Sequence, residues 1–318
     1  MTTTDVNAAR LGIFCMLAGM FFISMNDMLV KSLSGGYPLH QLILLRSVVA
    51  IGFTVPMLIY EGGWRLLNTG RWGLHGMRAV FILIANSALY AAIASMPLAM
   101  ATALYFVAPL FVTMLSIPVL GEKVGPRRFA AIGVGFAGVL IMMAPQFTAG
   151  EGGLGWIVLL PVVAAAFYAS MSVLTRKLGQ TSSASALALH MQLAFISISA
   201  IVGLVAGDGR FATEASNPSV QFLFRAWVWP QSGDWLPILG LGVMSAIIGY
   251  LMTQAYRLSR ASVVAPFEYV LLIFSLFWGW TVFGEWPQTS VLVGAAIVIA
   301  SGVYVFLREG QRRGKRAV

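Results

Sequence analysis

Four ionisable side chains stand in stretches that otherwise read as lipid-facing or buried helix. Asp27 and Lys31 lie four residues apart in FFISMNDMLVK, Arg46 interrupts LHQLILLRSVV, and Glu268 sits in APFEYVLLIF. A charge near the bilayer centre costs at least ~2.5–3.5 kcal/mol on insertion scales, so each needs a partner or a watery cavity. Asp27 and Lys31 are one helical turn apart and can pair along one face. Arg46 falls ~10 Å inside the outer end of its helix and Asp27 ~6 Å inside the same end of its own, at 1.5 Å per residue. Their depths nearly match, which predicts an Asp27, Lys31 and Arg46 cluster on the outer side of a cavity. Such a cluster either contacts substrate or is an ion network holding two helices together.

Glu268 lies ~10 Å into its helix, close to the midplane. No basic residue stands within one turn of it. A carboxyl group so placed can take up and release a proton, which makes Glu268 the first candidate for proton coupling and Asp27 the second. The other reading is a neutral, hydrogen-bonded Glu that serves helix packing. Amides and aromatics complete a candidate substrate cavity: Asn26, Asn86, Tyr90, Tyr105, Tyr168, Gln254 and Tyr269, with Tyr250, His190 and Gln192 as further hydrogen-bonding groups. A flat heteroaromatic substrate would stack on such rings and bond to such amides. Taken singly, these residues also suit an interfacial belt or interhelical hydrogen bonds. Trp278 and Trp280 read as belt residues, and His190 as a packed helical residue.

Other chemistries are not supported. The only cysteine, Cys15, allows neither a disulfide framework nor a thiolate cluster. Its neighbour Phe14 does not fit a lipid-attachment site. His40, His75 and His190 are far apart in the chain and show no metal-ligand spacing. There is no G-x-x-x-x-G-K-[ST] loop, so nucleotide hydrolysis by that route is excluded. Neither metal nor cofactor is expected, and an integral-membrane enzyme would need a catalytic cluster at one depth that the sequence does not offer.

The elements that position these residues follow from composition. Of 318 residues, 59% are hydrophobic and 10% charged, and mean hydropathy is +0.85. Soluble domains carry about 25% charged residues, so the chain is an integral membrane protein. Apolar runs at about 11–31, 39–60, 77–95, 98–120, 128–145, 154–175, 184–206, 235–256, 261–283 and 288–307 predict ten spans. The first run has no small-residue cleavage site at its end and reads as a span. The net charge of +9 is not a nucleic-acid signal, because sixteen of the twenty basic residues fall on one side of these spans. That bias places both termini in the cytoplasm, with a basic tail at 308–318 near anionic lipid. Membrane lipid and a small-molecule substrate are the expected partners. Residues 207–234 form one long outer loop whose segment VQFLFRAWVWP reads as a short helix resting on the membrane surface, or else as a gate.

The two halves repeat. Residues 96–122 align without gaps to 259–285, matching Ala101 to Val264, Phe106 to Tyr269, Gly121 to Gly284 and Glu122 to Glu285. FFISMNDMLVK aligns to FYASMSVLTRK at 167–177, matching Lys31 to Lys177. Five spans per repeat, over 11–145 and 154–307, invert the second copy in the membrane, an architecture of secondary transporters. Pro109 is replaced by Leu272 while a proline appears earlier at Pro266, so the bend of the ninth span is expected about two turns nearer its cytoplasmic end.

The Ala-rich helix starts, the Gly-Glu ends of the fourth helices and the Gly-rich fifth helices (GVGFAGVLIM, GAAIVIASGVYVF) resemble the EamA type of the drug/metabolite transporter superfamily. The resemblance implies an all-α membrane protein of ten helices in two inverted five-helix repeats, a central cavity and alternating access, in a bacterial inner membrane. SMNDMLVKSL, LLRS and APFEYV further resemble bacterial carriers for riboflavin and S-adenosylmethionine. Riboflavin uptake is the first substrate this implies, S-adenosylmethionine uptake the second, and amino-acid or drug efflux the third. Inverted symmetry leaves the direction of transport open.

Overall fold

The computed structural model describes residues 3–67, 72–121, 125–148, 154–178, 184–213, 216–258 and 265–314, and among them every regular element is helical. The first repeat contains α1 (Thr3–Leu33), α2 (Leu39–Glu61), α3 (Trp72–Ser95), α4 (Leu98–Tyr105), α5 (Ala108–Leu120) and α6 (Pro126–Thr148). The second contains α7 (Leu160–Leu178), α8 (Ala184–Ala206), the short α9 (Pro218–Phe224), α10 (Trp235–Leu258), α11 (Val270–Phe283) and α12 (Thr289–Gly314). Seven stretches are long and apolar enough to cross a membrane, and three shorter apolar helices run over Phe129–Pro145, Phe267–Phe283 and Thr289–Tyr304. α12 continues to Gly314, beyond the expected end near 307, because Arg, Glu and Gln are good helix formers.

The expected single helix over 98–120 is two. α4 stops at Tyr105 and α5 starts at Ala108, with Pro109 in its first turn. A proline there has no N–H to give the Tyr105 carbonyl, so the ladder breaks. In the second repeat Ala265–Tyr269 is a 3-10 turn and the α-helix starts at Val270. The aligned junctions, 106/107 and 269/270, therefore coincide. Pro266 lies inside this 3-10 turn, whose first residue, Ala265, corresponds to Thr102 within α4. The irregular stretch thus begins earlier than in the first repeat, as the earlier proline predicts, although the α-helix resumes at nearly the same place; residues 259–264 lie outside the described ones. The matched residues at the two breaks touch: the Phe106 and Tyr269 rings lie 5.1 Å apart, edge to face at 74°.

The repeated glycine also has a physical cause. Gly121 and Gly284 are left-handed C-caps, with φ of 69° and 65°, a conformation that costs a side-chain-bearing residue and not glycine. Each donates its N–H to the carbonyl four residues back, Ile117 and Trp280. The turn at Gly284 sends Glu285 back toward the bundle. Glu122 lies outside the described residues.

Packing between halves is reciprocal. α6 packs on α12, α1 on α10, α3 on α7 and α2 on α8. A Cβ on Gly138 would come within 2.8 Å of the Gly294 carbonyl oxygen, and Ser301 Oγ donates to the Ala131 carbonyl at 2.5 Å. In the repeat register Gly138 corresponds to Ser301 and Ala131 to Gly294. The two contacts are one contact seen from each repeat, as a two-fold axis requires. Small residues at such crossings let backbones approach where lipid supplies no hydrophobic drive.

The outer segment forms the expected short helix, α9, capped by Asn217, whose side chain accepts from the Val220 N–H. It packs on the protein: Phe222 is fully buried, Ser219 donates to the Ala91 carbonyl at 2.6 Å, and Gln41 donates to the Val228 carbonyl at 2.6 Å. Trp227, Val228 and Trp229, which follow α9 in the same segment, remain exposed. Beside this segment Tyr37 donates to the Asp234 carboxylate at 2.5 Å; burial and that carboxylate hold its phenol above the usual range.

Candidate functional site

The site is built on the hydroxyl of Tyr90. Asn26 Nδ2 donates to it at 3.0 Å from α1 and Arg46 Nη1 at 3.1 Å from α2, joining three helices on one oxygen of α3. All three residues are buried. The Arg46 guanidinium lies 5.5 Å from the Tyr90 ring centre and 5.7 Å from that of Phe195 on α8. Cation–π contact of this kind stabilises a guanidinium taken out of water. Asp27, also buried, sits beside the Asn26 amide and within the field of Arg46, yet the two charges form no ion pair within 4 Å among the described residues.

The site extends through rings. Tyr105 and Tyr168 lie 5.6 Å apart at 56°, and Tyr105 is within electrostatic range of Asp27, Glu268 and Tyr90. Glu268, half-buried in the 3-10 turn before α11, acts on Tyr105, Tyr168 and Tyr269. Tyr168 also bonds Ser172. The Tyr269 hydroxyl is buried against Gly302 of α12, where a Cβ would overlap it. Asn26, Asp27, Arg46 and Tyr90 on one side and Tyr105, Tyr168, Glu268 and Tyr269 on the other thus lie within electrostatic range of each other across the two repeats. Asn86 is half-buried one turn before Tyr90, and Gln254 is half-buried on α10. Tyr250, one turn from Gln254, is exposed.

Lys31 is not part of this group. Its ammonium donates to Glu285 Oε1 at 2.5 Å and to the Met96 carbonyl at 2.8 Å, and it lies 5.0 Å from the Phe283 ring centre. The other Glu285 oxygen accepts from the Leu98 N–H at 3.0 Å. The expected Asp27, Lys31 and Arg46 cluster therefore divides in two. A cross-repeat carboxylate, with its own ring and backbone partners, outcompetes the Asp27 one turn away.

Several contacts lay outside the sequence reading. Phe195 carried no signal, since its role depends on which face α8 turns to α2. Trp278, expected in the belt, donates to Ser24 Oγ at 3.0 Å, whereas Trp280 is exposed as expected. His75 and His190 stack at 4.7 Å and 15°, although 115 positions separate them in the chain. No group of three or more potential metal ligands occurs among the described residues.

Residues 10–144 and 155–307 each match the model of the EamA-like transporter family. A riboflavin transporter of Vibrio cholerae serotype O1 is 30% identical over 92% of this chain and 91% of its own length. A riboflavin transporter of Brucella anthropi is 28% identical over 86% and 90%. An S-adenosylmethionine uptake transporter of Rickettsia prowazekii is 23% identical over 94% and 93%. A solved crystal structure superposes with a TM-score of 0.62 at 19% identity, covering 96% of this chain and 98% of that one, which shows a shared fold.

Proposed function

Because this chain belongs to the EamA-like transporter family, we propose that it takes up riboflavin across a bacterial inner membrane by alternating access. The observation that carries this reading is the ring-lined polar group at the junction of the repeats: Arg46 between the Tyr90 and Phe195 rings, with the Tyr105 and Tyr168 rings beyond. A flat heteroaromatic solute gains most from such walls, since each ring face it covers adds stacking to the burial of apolar area. The riboflavin transporters similar over most of this chain support the same solute.

Ten spans organise the site in this reading, the seven long apolar stretches and the three shorter helices each crossing once. Both termini then lie in the cytoplasm, the repeats occupy 11–145 and 154–307, and the basic residues 308–318 anchor the inner face. Glu268 is the first candidate to carry a coupled proton and Asp27 the second. Gln254 and Asn86 line the path to the ring-walled centre.

A second reading, S-adenosylmethionine uptake, is favoured by one feature. Asp27 and Arg46 share a site without neutralising each other, which suits the ammonium and carboxylate of an amino-acid group. Growth rescue separates the two. A strain unable to make riboflavin, given the gene and low external riboflavin, should grow. Rescue only of a strain lacking S-adenosylmethionine synthesis would replace the first reading by the second.

A further inference from the structure

The Tyr90 hub leaves three polar groups unspent, and together they describe what they would bind. Asn26 Oδ1 is buried, with no hydrogen-bond partner among the described residues. The Tyr90 oxygen accepts from Asn26 and from Arg46, which fills both of its lone pairs and leaves its own O–H proton to donate. Arg46 has five N–H donors, and the one hydrogen bond described for it goes to Tyr90. A network evolved only to hold three helices would satisfy its members, since buried polar atoms are otherwise paired. The hub instead presents one acceptor flanked by donors from two side chains.

We propose that Asn26, Tyr90 and Arg46 read the imide edge of the riboflavin ring system, in which an N–H at position 3 lies between two carbonyl oxygens. Asn26 Oδ1 accepts the N3–H, while the Tyr90 hydroxyl and the Arg46 guanidinium donate to the flanking carbonyls. The remainder of the ring system lies against Phe195 and the Tyr105–Tyr168 pair. This inference rests on the riboflavin reading and sharpens it, because it assigns specificity to one edge of the solute. The adenine of S-adenosylmethionine offers an amino group beside a bare ring nitrogen and lacks that pattern. A buried acceptor that meets a methyl group in place of an N–H is left unpaired, so a site built this way discriminates strongly.

The test uses the purified full-length chain in lipid nanodiscs, with binding followed by quenching of flavin fluorescence. The unaltered protein should bind riboflavin and 5-deazariboflavin, whose imide edge is intact, within about threefold of each other, and N3-methylriboflavin at least about tenfold more weakly, the factor for one net hydrogen bond. Asn26→Ala should bring the riboflavin to N3-methylriboflavin ratio close to one. Because the first comparison needs no variant, a misfolded Asn26→Ala leaves it intact. Equal binding of riboflavin and N3-methylriboflavin by the unaltered protein overturns the inference while riboflavin transport stands. Absence of binding to all three flavins, with binding of S-adenosylmethionine, overturns the functional reading itself.

Discussion

Lys31 and Glu285 join the two repeats through an ion pair of 2.5 Å, with side chains only 11% and 24% exposed. Glu285 also accepts from Leu98 N–H and Lys31 donates to Met96 O, so the pair ties the ends of α1, α3, α4 and α11. The pair is separate from the Tyr90 group and holds the two repeats together at these helix ends. Removing one partner leaves a desolvated charge and costs ~2–5 kcal/mol. Glu285→Lys and Lys31→Glu alone should each lower the melting temperature and abolish uptake. The double exchange should recover at least part of both, since either order restores opposite charges. Three equally impaired proteins would mean that the pair has no direct coupling.

Arg46 should not tolerate lysine. Lysine keeps the charge but loses the planar donor fork and the stacking between Tyr90 and Phe195. Arg46→Lys is therefore expected to reduce uptake at subsaturating solute by about tenfold or more, the equivalent of ~1.4 kcal/mol. Protein level at the membrane, measured alongside, should stay near that of the unaltered chain. Unchanged uptake kinetics would remove Arg46 from the binding group.

The parts of this arrangement legible in the sequence are those that local spacing encodes. Asn26, Asp27, Arg46, Tyr90 and Glu268 stood out because polar groups are costly in apolar runs, and the repeat identified Gly121 and Gly284 as equivalent. What was not legible depends on how each helix is rotated about its own axis. In a soluble protein an apolar stripe sets that rotation. Here lipid and core are equally apolar, so α8 shows no stripe that would put Phe195 under Arg46, and nothing near His75 announces His190. Lys31 illustrates the same limit: its spacing offered Asp27, and the partner it takes is 254 residues away. The α9 segment shows a related limit: its spacing did not tell which aromatic would turn inward, and Phe222 is buried while Trp227 and Trp229 stay exposed.

Close approach of α6 and α12 makes a further demand. A Cβ on Gly294 would overlap Met142 and the Gly138 carbonyl, and one on Gly138 would press on Ile297 as well as on Gly294. Gly294→Val should force the helices apart and destabilise the bundle by ~1–3 kcal/mol, the usual range for overpacking. A lower midpoint in thermal unfolding of detergent-purified protein is the measurement. By contrast Gly249→Ala, where a Cβ meets nothing within 4 Å, should leave the midpoint in place.

Glu268 is the group whose replacement separates binding from coupling. It is within electrostatic range of Tyr105, Tyr168 and Tyr269, so its charge would respond to a solute bound among those rings. If it takes a proton from outside before each inward step, uptake is fastest in acid and declines as external pH rises through the range where the carboxyl ionises. Glutamine has the shape of the protonated acid and cannot ionise. Glu268→Gln should therefore bind solute with affinity within a few-fold of the unaltered protein and show uptake that no longer varies with pH between about 5 and 8, with accumulation against a gradient lost. Asp27→Asn supplies the contrast: the carboxyl group beside Arg46 and Asn26 belongs to the proposed binding group, so its loss should weaken affinity as well. Proteoliposomes with imposed pH gradients distinguish the two residues. Retained pH dependence in Glu268→Gln together with its loss in Asp27→Asn would transfer the proton to Asp27.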